Sequence, residues 1–111
     1  MFDDSVLDFE WDQGNSGHII RHGVDPSEVE EAFANSDWLI VGNGVWHPSG
    51  ELRYPTYGRT ESGRVLEFVF IQRGRLIRVV TAHTMKKNKR MEYEKTVKER
   101  RQSGGGTAET P

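Results

Sequence analysis

The second half of the chain alternates apolar runs with turn residues, and this alternation constrains the fold more than any other feature. Three strands are expected there, over residues 51–59, 64–72 and 75–82. A turn at 60–63 joins the first two strands, and the pair Arg73–Gly74 makes the next hairpin turn. Because Pro55 cannot donate a ladder hydrogen bond, one side of the first strand is expected to face solvent or a bulge. The pattern predicts an antiparallel meander.

The first third of the chain predicts two helices. Residues 13–21 form the first, which has low intrinsic propensity because it contains two glycines. The second has the clearest start in the chain, since Asp25 is an N-cap, Pro26 the first helical residue and Glu28 the capping-box partner. Gly23 between the helices is suited to the left-handed conformation that ends a helix.

The order of these elements is typical of an α+β domain. Two further strands are expected over residues 6–11 and 37–42, a loop over 44–50 and a closing helix over 85–101. At 111 residues the chain is long enough for one core and too short for two, so we expect a single domain over residues 1–102. The glycine-rich residues 103–111 lack an apolar anchor and are expected to be disordered.

The composition excludes several classes of protein. The chain has no cysteine, so it has neither a disulfide framework nor a thiolate zinc site, which fits a reducing cytoplasm. No apolar run approaches the roughly 20 residues that a membrane span needs, and the acidic first residues lack the basic start of an export signal. We therefore expect a cytoplasmic protein without a membrane segment.

Charge is polarised along the chain, although the net charge is only −2. Residues 1–37 contain ten acidic residues and one arginine. Residues 38–83 contain six arginines and three acidic residues, and residues 84–102 contain eight basic and three acidic residues. A basic sheet and helix raise the rate of encounter with a phosphate backbone, so RNA is the first candidate ligand.

The predicted hairpin makes a specific statement about Arg78. The register that follows from its turn puts Arg78 opposite Val69 and diagonal to Glu67, which permits an ion pair. Regular alternation also places Arg78 and His83 on opposite faces of the sheet. The two side chains are therefore expected to converge only if the strand ends or twists before His83.

Two groups of potential metal ligands are incomplete. Asp8, Glu10 and Asp12 alternate on one face of the first strand, but no second acidic cluster completes an oxygen shell for magnesium. His18 and His22 share a helix face and offer two nitrogens for zinc, but two ligands do not make a site. We expect a solvated strand face and no metal cofactor.

Several fragments, taken in order, resemble the BrnT family of toxins from bacterial type II toxin-antitoxin systems. In the first half these are Phe9-Glu10-Trp11-Asp12 and Arg21-His22-Gly23-Val24, followed by the helix that ends in Ala32-Phe33. In the second half they are His47 six residues before Arg53-Tyr54, then Gly58-Arg59-Thr60, Gly63-Arg64-Val65-Leu66, Ile77-Arg78-Val79 and Tyr93-Glu94. Their order and spacing over residues 7–94 carry the resemblance.

The resemblance implies a RelE-like fold, in which two N-terminal helices pack on an antiparallel β-sheet and a basic helix closes the chain. It also implies a ribonuclease that blocks translation, and a small DNA-binding antitoxin that neutralises it as a hetero-oligomer. The residues that match functional positions are His47, Glu51, Arg53, Tyr54 and Arg78. Two positions depart from the family pattern: His83 follows Ala82 where an arginine is usual, and Leu52 replaces a common acidic residue.

Cleavage of RNA without a metal needs a base for the 2′-hydroxyl proton, cations for the charge that develops on the phosphate, and an acid for the leaving 5′-oxygen. Arg53 and Arg78 are the predicted phosphate ligands, because a guanidinium donates to two oxygens at once. His47 or His83 is the predicted proton carrier, and Glu51 either orients the hydroxyl or acts as base. The predicted RNA-binding residues are Tyr54, Arg59, Arg64, Lys86, Lys87 and Arg90.

Two other functions fit the same residues. A member that has lost catalysis would keep the fold and bind RNA, the ribosome or a protein. A protein-binding component would instead use its acidic N-terminal face, or the sheet edge beside Pro55, to bind the antitoxin. Binding of RNA without cleavage indicates the first, and salt-insensitive association without measurable affinity for RNA indicates the second.

Overall fold

The computed structural model describes the backbone of residues 8–109 and the side chains of residues 8–102. Its elements are β1 (Asp8–Phe9), α1 (Gln13–Arg21), α2 (Pro26–Ala34), β2 (Ile40–Val41), β3 (Val45–Trp46), β4 (Leu52–Arg59), β5 (Val65–Arg73), β6 (Leu76–Thr84) and α3 (Lys87–Glu109). Residues 6 and 7 of the predicted first strand lie outside the described residues. No helix within residues 8–109 is both long and apolar enough to cross a membrane.

Within the described part of the chain, six strands form one sheet in the order β1-β6-β5-β4-β2, and β3 pairs with β4 outside this path. The antiparallel pairing of β4, β5 and β6 confirms the predicted meander. β1 runs parallel to β6, with Phe9 beside Ile77, so the expectation of a purely antiparallel sheet is wrong. Two helices separate β1 from the other strands and allow it to reach β6 in the parallel direction. The α+β class is confirmed.

Strand β4 pairs with two short strands on its outer side. β2 pairs with the middle of β4, and β3 pairs with its first two residues. Pro55 lies in the interval between these ladders, where its carbonyl accepts a 2.7 Å hydrogen bond from the backbone N–H of Gly42. The predicted loop over residues 44–50 thus contains a short strand, and the edge expected beside Pro55 is occupied by the chain itself.

Both N-terminal helices begin at a capping box. Asp25 caps α2 and its backbone N–H donates to the side chain of Glu28, which confirms the predicted start. α1 has the predicted bounds and begins in the same way, through Asp12 and Asn15. It ends in a Schellman motif in which Gly23 adopts a φ of +80°, a left-handed conformation that glycine adopts without steric cost.

Helices α1 and α2 pack on one face of the sheet. The buried cluster there includes Ile19 and Val29 of the helices and Phe68 and Phe70 of β5. A Cβ on Gly58 of β4 would come within 3.0 Å of Ala32, so the close approach of α2 to the sheet requires a residue without a side chain. The charged side chains of β4–β6 therefore lie on the opposite face of the sheet.

Helix α3 packs on one end of the opposite face. A second buried cluster consists of Val65, Met85, Tyr93 and Val97. The Tyr93 hydroxyl donates a hydrogen bond to the backbone carbonyl of Trp38. The helix spans Lys87–Glu109, so it starts and ends later than the predicted 85–101. The tail expected over residues 103–111 overlaps the end of this helix, and its disorder stays a prediction.

The hairpin of β5 and β6 turns at residues 74–75, one residue later than predicted. Arg78 consequently lies opposite Ile71 rather than Val69. The ion pair between Arg78 and Glu67 that the expected register permits does not form, because Arg78 pairs with Asp12. A shift of the turn by one residue moves every cross-strand pair, and the apolar pattern alone does not fix the turn.

A β-bulge interrupts β6 at Val80. Phe70 pairs with Val79 whereas Val69 pairs with Thr81, so Val80 is the extra residue. Beyond the bulge the alternation of side chains is inverted. Arg78 and His83 therefore lie opposite residues 71 and 67, which share one face of β5, and the two side chains are on the same face of the sheet. The expectation from regular alternation, that they lie on opposite faces, is wrong.

Candidate active site

A cavity of about 500 Å³ lies where α1 runs beside β6, next to the sheet face that α1 and α2 leave uncovered. Its charged and polar lining residues are Asn15, His18, Arg21, Glu51, Arg53, Arg78 and Thr81, and Ile71 and Val80 are among the others. We call it the arginine cavity. It brings together three of the residues predicted to be catalytic (Glu51, Arg53 and Arg78), with three guanidinium groups, an imidazole and a carboxylate around one space.

Asn15 anchors α1 to β6 beside this cavity. Its side-chain amide donates hydrogen bonds to the backbone carbonyls of Glu10, at 2.9 Å, and Val79, at 3.1 Å. Asn15 is buried, so these bonds satisfy polar groups that water does not reach. Val79 directly precedes the bulge at Val80, and the helix is therefore fixed where the strand changes its alternation.

Arg78 is held at the cavity by the residue that caps α1. Its two terminal nitrogens donate to the carboxylate oxygens of Asp12 at 2.8 and 3.3 Å. This hydrogen bonding lowers the pKa of Asp12 and raises that of Arg78, so both groups stay ionised at neutral pH. A guanidinium has five N–H donors, and the two that bind Asp12 leave others for a phosphate.

Arg53 and Glu51 form the second ion pair of the cavity. The Nε and a terminal nitrogen of Arg53 donate to one carboxylate oxygen of Glu51, at 3.3 and 3.0 Å. The hydrogen bond from Arg53 lowers the pKa of Glu51, so its carboxylate is charged at neutral pH and is a weaker base than a free glutamate. Both side chains remain about one-third exposed and are accessible to a ligand.

His18 and Arg21 on α1 complete the polar lining, and sequence reasoning assigned neither to this site. The sequence pattern indicates His18 only as a zinc ligand together with His22, whose ring centre lies 4.8 Å away. One signal was present in the sequence, because Arg21 is the only basic residue among residues 1–37. It follows His18 by three positions, which places both on one helix face.

A second cavity of about 500 Å³ adjoins the first. It is lined by Trp46, Leu52 and Tyr54, by Gln72 and Arg73 at the end of β5 with Gly74 of the following turn, and by Gly50, Glu51 and Ile71. We call it the tryptophan cavity. Glu51 and Ile71 line both cavities, so the two spaces lie side by side on the molecular surface.

His47 and His83, the predicted proton carriers, do not line the arginine cavity. His47 lies in the turn before β4, where its backbone N–H donates to the backbone carbonyl of Glu51 at 2.8 Å. The Nδ1 of its ring lies 2.8 Å from the Ser49 hydroxyl. His83 lies at the far end of the same sheet face, with its Nε2 2.6 Å from Glu67. It lines a separate cavity of about 150 Å³.

Glu67 connects His83 to α3. Its second carboxylate oxygen lies 2.9 Å from the Nζ of Lys89. Burial opposes ionisation of Glu67, but the hydrogen bonds from Lys89 and His83 outweigh it, so the pKa of Glu67 is lowered. Lys89 and His83 thus bind Glu67 within the fold, at a distance from Arg78.

Two of the predicted RNA-binding arginines make contacts that stabilise the fold. Arg64 donates to Glu28, to the carbonyl of Gly23 and to the Thr84 hydroxyl, each at 2.7 Å, and so connects the start of α2 to the sheet. The guanidinium of Arg59 lies 4.7 Å from the centre of the Trp38 ring, a cation–π contact.

The other predicted RNA-binding residues lie in different environments. Tyr54 is buried, and its ring stacks on Phe70 with centres 5.2 Å apart, so its face is not open to a base. Lys86 and Lys87 are exposed at the start of α3, and Arg90 is partly buried one turn later. These three cations lie on α3 or directly before it, and they do not line the arginine cavity.

Two of the acidic residues between β1 and α1 contact arginines. Asp12 binds Arg78, and a carboxylate oxygen of Glu10 lies 3.8 Å from a terminal nitrogen of Arg73. Among the side chains of residues 8–102, no group of three or more histidine, aspartate or glutamate residues is close enough to hold a metal ion.

Comparison with known proteins identifies the family. A family model described as "Ribonuclease toxin, BrnT, of type II toxin-antitoxin system" matches residues 11–89, which is well over half of the chain and includes both ion pairs of the arginine cavity. A search of curated proteins finds no match. The family implies a ribonuclease toxin whose substrate is RNA and whose partner is an antitoxin protein. The chain therefore belongs to the BrnT family of ribonuclease toxins of type II toxin-antitoxin systems.

Proposed function

We propose that the arginine cavity is the site where this chain cleaves RNA, without a metal ion, and thereby inhibits translation. The observation that carries the proposal is the convergence of Arg21, Arg53 and Arg78 with His18 and Glu51 around one space. Three cations beside an imidazole and a carboxylate provide the groups that phosphodiester transesterification needs. RNA has the 2′-hydroxyl that serves as the internal nucleophile, and DNA lacks it.

Two arginines bind the scissile phosphate in this mechanism. Arg53 and Arg78 are each held by a carboxylate, so their planes are oriented before a substrate arrives. Donors that are already oriented stabilise the charge of the transition state without reorganising as it forms. Arg21 on α1 contributes a third positive charge from another wall of the cavity.

Proton transfer is assigned to His18, and orientation of the 2′-hydroxyl to Glu51. The 2′-oxygen attacks phosphorus and gives up its proton, the bond from phosphorus to the 5′-oxygen breaks, and a proton is delivered to that oxygen. The products are a 2′,3′-cyclic phosphate and a 5′-hydroxyl. Arg53 lowers the pKa of Glu51 and reduces its strength as a base, so Glu51 orients the 2′-hydroxyl while His18 carries the proton.

His47 and His83 differ in how close they lie to Glu51 and therefore in the role that each could have. His47 is linked to Glu51 through the backbone, where the N–H of His47 donates to the carbonyl of Glu51. It is the alternative proton carrier. His83 is bound to Glu67 at the other end of the sheet face, and a direct role would require RNA that spans the face from one end to the other.

The test is a cleavage assay with the purified chain in EDTA on two matched oligonucleotides, one all-RNA and one with a 2′-deoxynucleotide at the mapped cleavage position. We expect cleavage of the first, with a 2′,3′-cyclic phosphate end, and none of the second at that position. Cleavage of the deoxy-substituted position would exclude 2′-hydroxyl attack. Loss of all cleavage in EDTA, with recovery on adding Mg²⁺, would overturn metal independence.

The cellular consequence is tested separately. Induction of the isolated chain in growing cells is expected to stop incorporation of labelled amino acids and fragment RNA over the same interval, and co-expression of the antitoxin to prevent both. A comparison of free mRNA with ribosome-bound mRNA shows whether the ribosome is needed. Binding to RNA with no cleavage in any of these assays would indicate a member that has lost catalysis.

A further inference from the structure

An exposed indole stands beside the arginine cavity. Trp46 on the short strand β3 is 71% exposed, although it is one of only three tryptophans in the chain. It pairs with Leu52, whose side chain packs on the core from the same face of the hairpin. With most of its surface in water, the ring contributes little to that packing.

The position of Trp46 relates it to the proposed cleavage site. It lines the tryptophan cavity, which shares Glu51 and Ile71 with the arginine cavity. A strand of RNA whose phosphate lies at Arg53 and Arg78 can place a neighbouring nucleotide at the tryptophan cavity, because the two cavities meet at Glu51 and Ile71. The volume of about 500 Å³ is within the range of small-molecule sites, which is roughly 300–1,000 Å³.

The chemistry of the tryptophan cavity suits a nucleotide. An exposed aromatic ring stacks on the face of any base, and such stacking dominates the recognition of single-stranded nucleic acid. Arg73 lies on the same wall with its side chain 55% exposed, and its contact to Glu10 is long, at 3.8 Å. An arginine at this position can bind the phosphate next to the scissile one.

We infer that Trp46 forms a base-stacking subsite, in which the ring stacks on a base of single-stranded RNA adjacent to the scissile phosphate and Arg73 binds the flanking phosphate. The inference rests on the proposed cleavage of RNA in the arginine cavity and adds a statement about its substrate. The substrate is unpaired at the cleavage point, because a base inside a duplex is already stacked and its face is covered. A purine at this position is preferred, since its ring system offers a larger area for stacking.

The experiment compares Trp46→Ala, Trp46→Phe and the control Val45→Ala, which changes the exposed neighbour of Trp46 on the same strand. The substrate is a single-stranded RNA with one mapped cleavage point, either intact or with an abasic residue on its 5′ or 3′ side. Trp46→Ala is expected to raise KM by roughly 5- to 150-fold with little change in kcat. Trp46→Phe recovers most of the affinity, because a phenyl ring also stacks, and Val45→Ala matches the wild type.

The abasic substrates distinguish stacking from a general loss of structure. One of them is expected to show a raised KM with the wild-type chain and no further increase with Trp46→Ala. Removing either the base or the indole abolishes the same stacking contact, so the second change has nothing more to remove. An unchanged KM in Trp46→Ala would overturn the inference. The inference would also be wrong if Trp46→Ala raised KM by the same factor on intact and on abasic RNA, because Trp46 would then not contact that base.

A binding experiment with RNA that cannot be cleaved tests this inference independently of the proposed function. The same oligonucleotides with a 2′-deoxynucleotide at the cleavage point are titrated into each variant. Weaker binding of Trp46→Ala to intact but not to abasic RNA supports the subsite even if the chain cleaves nothing. If Trp46→Ala instead cleaves and binds RNA normally and only escapes neutralisation by the antitoxin, Trp46 is a protein contact and the inference is wrong.

Discussion

Arg78 and Asp12 connect strand β6 to the N-cap of α1 through two hydrogen bonds of 2.8 and 3.3 Å. One carboxylate thus performs two tasks, since an oxygen of Asp12 also accepts the N–H of Asn15 in the capping box. The start of the helix and the orientation of the guanidinium are consequently fixed together. The helix that supplies His18 and Arg21 and the strand that supplies Arg78 are therefore held in one arrangement.

Arg78→Ala is expected to lower the rate of RNA cleavage by about 10²- to 10³-fold, because it removes an oriented donor to the transition state. Arg78→Lys is expected to recover only part of this, since an ammonium lacks the planar fork. The control is Arg75→Ala, which removes an equal charge from the exposed turn of the same hairpin. Initial rates on a fluorescent RNA measure the effect, and equal rates in Arg78→Ala and Arg75→Ala would exclude the assignment.

Asp12→Asn tests the linkage of the Asp12–Arg78 pair to stability. Because Arg78 lowers the pKa of Asp12 in the folded chain, the unfolded chain binds more protons near pH 4, and the pair stabilises the fold above the unfolded pKa of about 3.9. This contribution is lost as the pH falls through the lowered pKa. Asparagine keeps the N-cap but lacks the charge.

The difference in free energy of unfolding between the wild type and Asp12→Asn is therefore expected to shrink as the pH falls from about 6 to 2. Urea denaturation at a series of pH values measures it. A difference that stays constant over this range would show that the carboxylate acts only as a helix cap.

Alanine variants of His18, His47 and His83 rank the three candidate proton carriers. His18 lines the arginine cavity, so His18→Ala is expected to lower kcat by about 10²- to 10⁴-fold and to alter the pH profile of kcat. His47→Ala is expected to have a smaller effect through Glu51, and His83→Ala the smallest. A larger loss in His83→Ala than in His18→Ala would restore the assignment made from the sequence.

The same substitution at two glycines is expected to have opposite effects on stability. A Cβ at position 58 would approach Ala32 to 3.0 Å, so Gly58→Ala should lower the free energy of unfolding by about 1–3 kcal/mol. A Cβ at position 17 of α1 meets only the end of Arg21, at 4.0 Å, so Gly17→Ala should raise it by about 0.5–1 kcal/mol. Thermal unfolding of both variants checks the sign, and a stabilised Gly58→Ala would show that α2 can move away from the sheet.

Tyr93→Phe tests the attachment of α3. Burial raises the pKa of Tyr93 to about 12, so the folded chain keeps a proton that the unfolded chain loses above pH 10. Stability is therefore expected to fall between about pH 10 and 12 in the wild type, and to fall less in Tyr93→Phe. At neutral pH the variant loses the hydrogen bond to Trp38 and about 1 kcal/mol. An identical alkaline loss in both proteins would exclude Tyr93 as its source.

Much of the local structure could be predicted because its causes lie within a few residues of each other. The capping box of Asp25 and Glu28, the bounds of α1 and the three strands of the meander each depend on neighbouring side chains and on alternation. The exact turn of the β5–β6 hairpin was missed by one residue, because residues 73–75 all tolerate a turn and the apolar pattern on either side does not choose between them.

The sequence by itself determined the α+β class, the start of each N-terminal helix, the polarised charge and, through the matching fragments, the BrnT family. Only the tertiary structure decided the partner of Arg78, the bulge at Val80 that puts Arg78 and His83 on one face, and the inclusion of His18 in the cavity. Local patterns report on residues that are near in sequence. The contact between Asp12 and Arg78 joins positions 66 residues apart, and it forms only when packing of the core brings α1 beside β6.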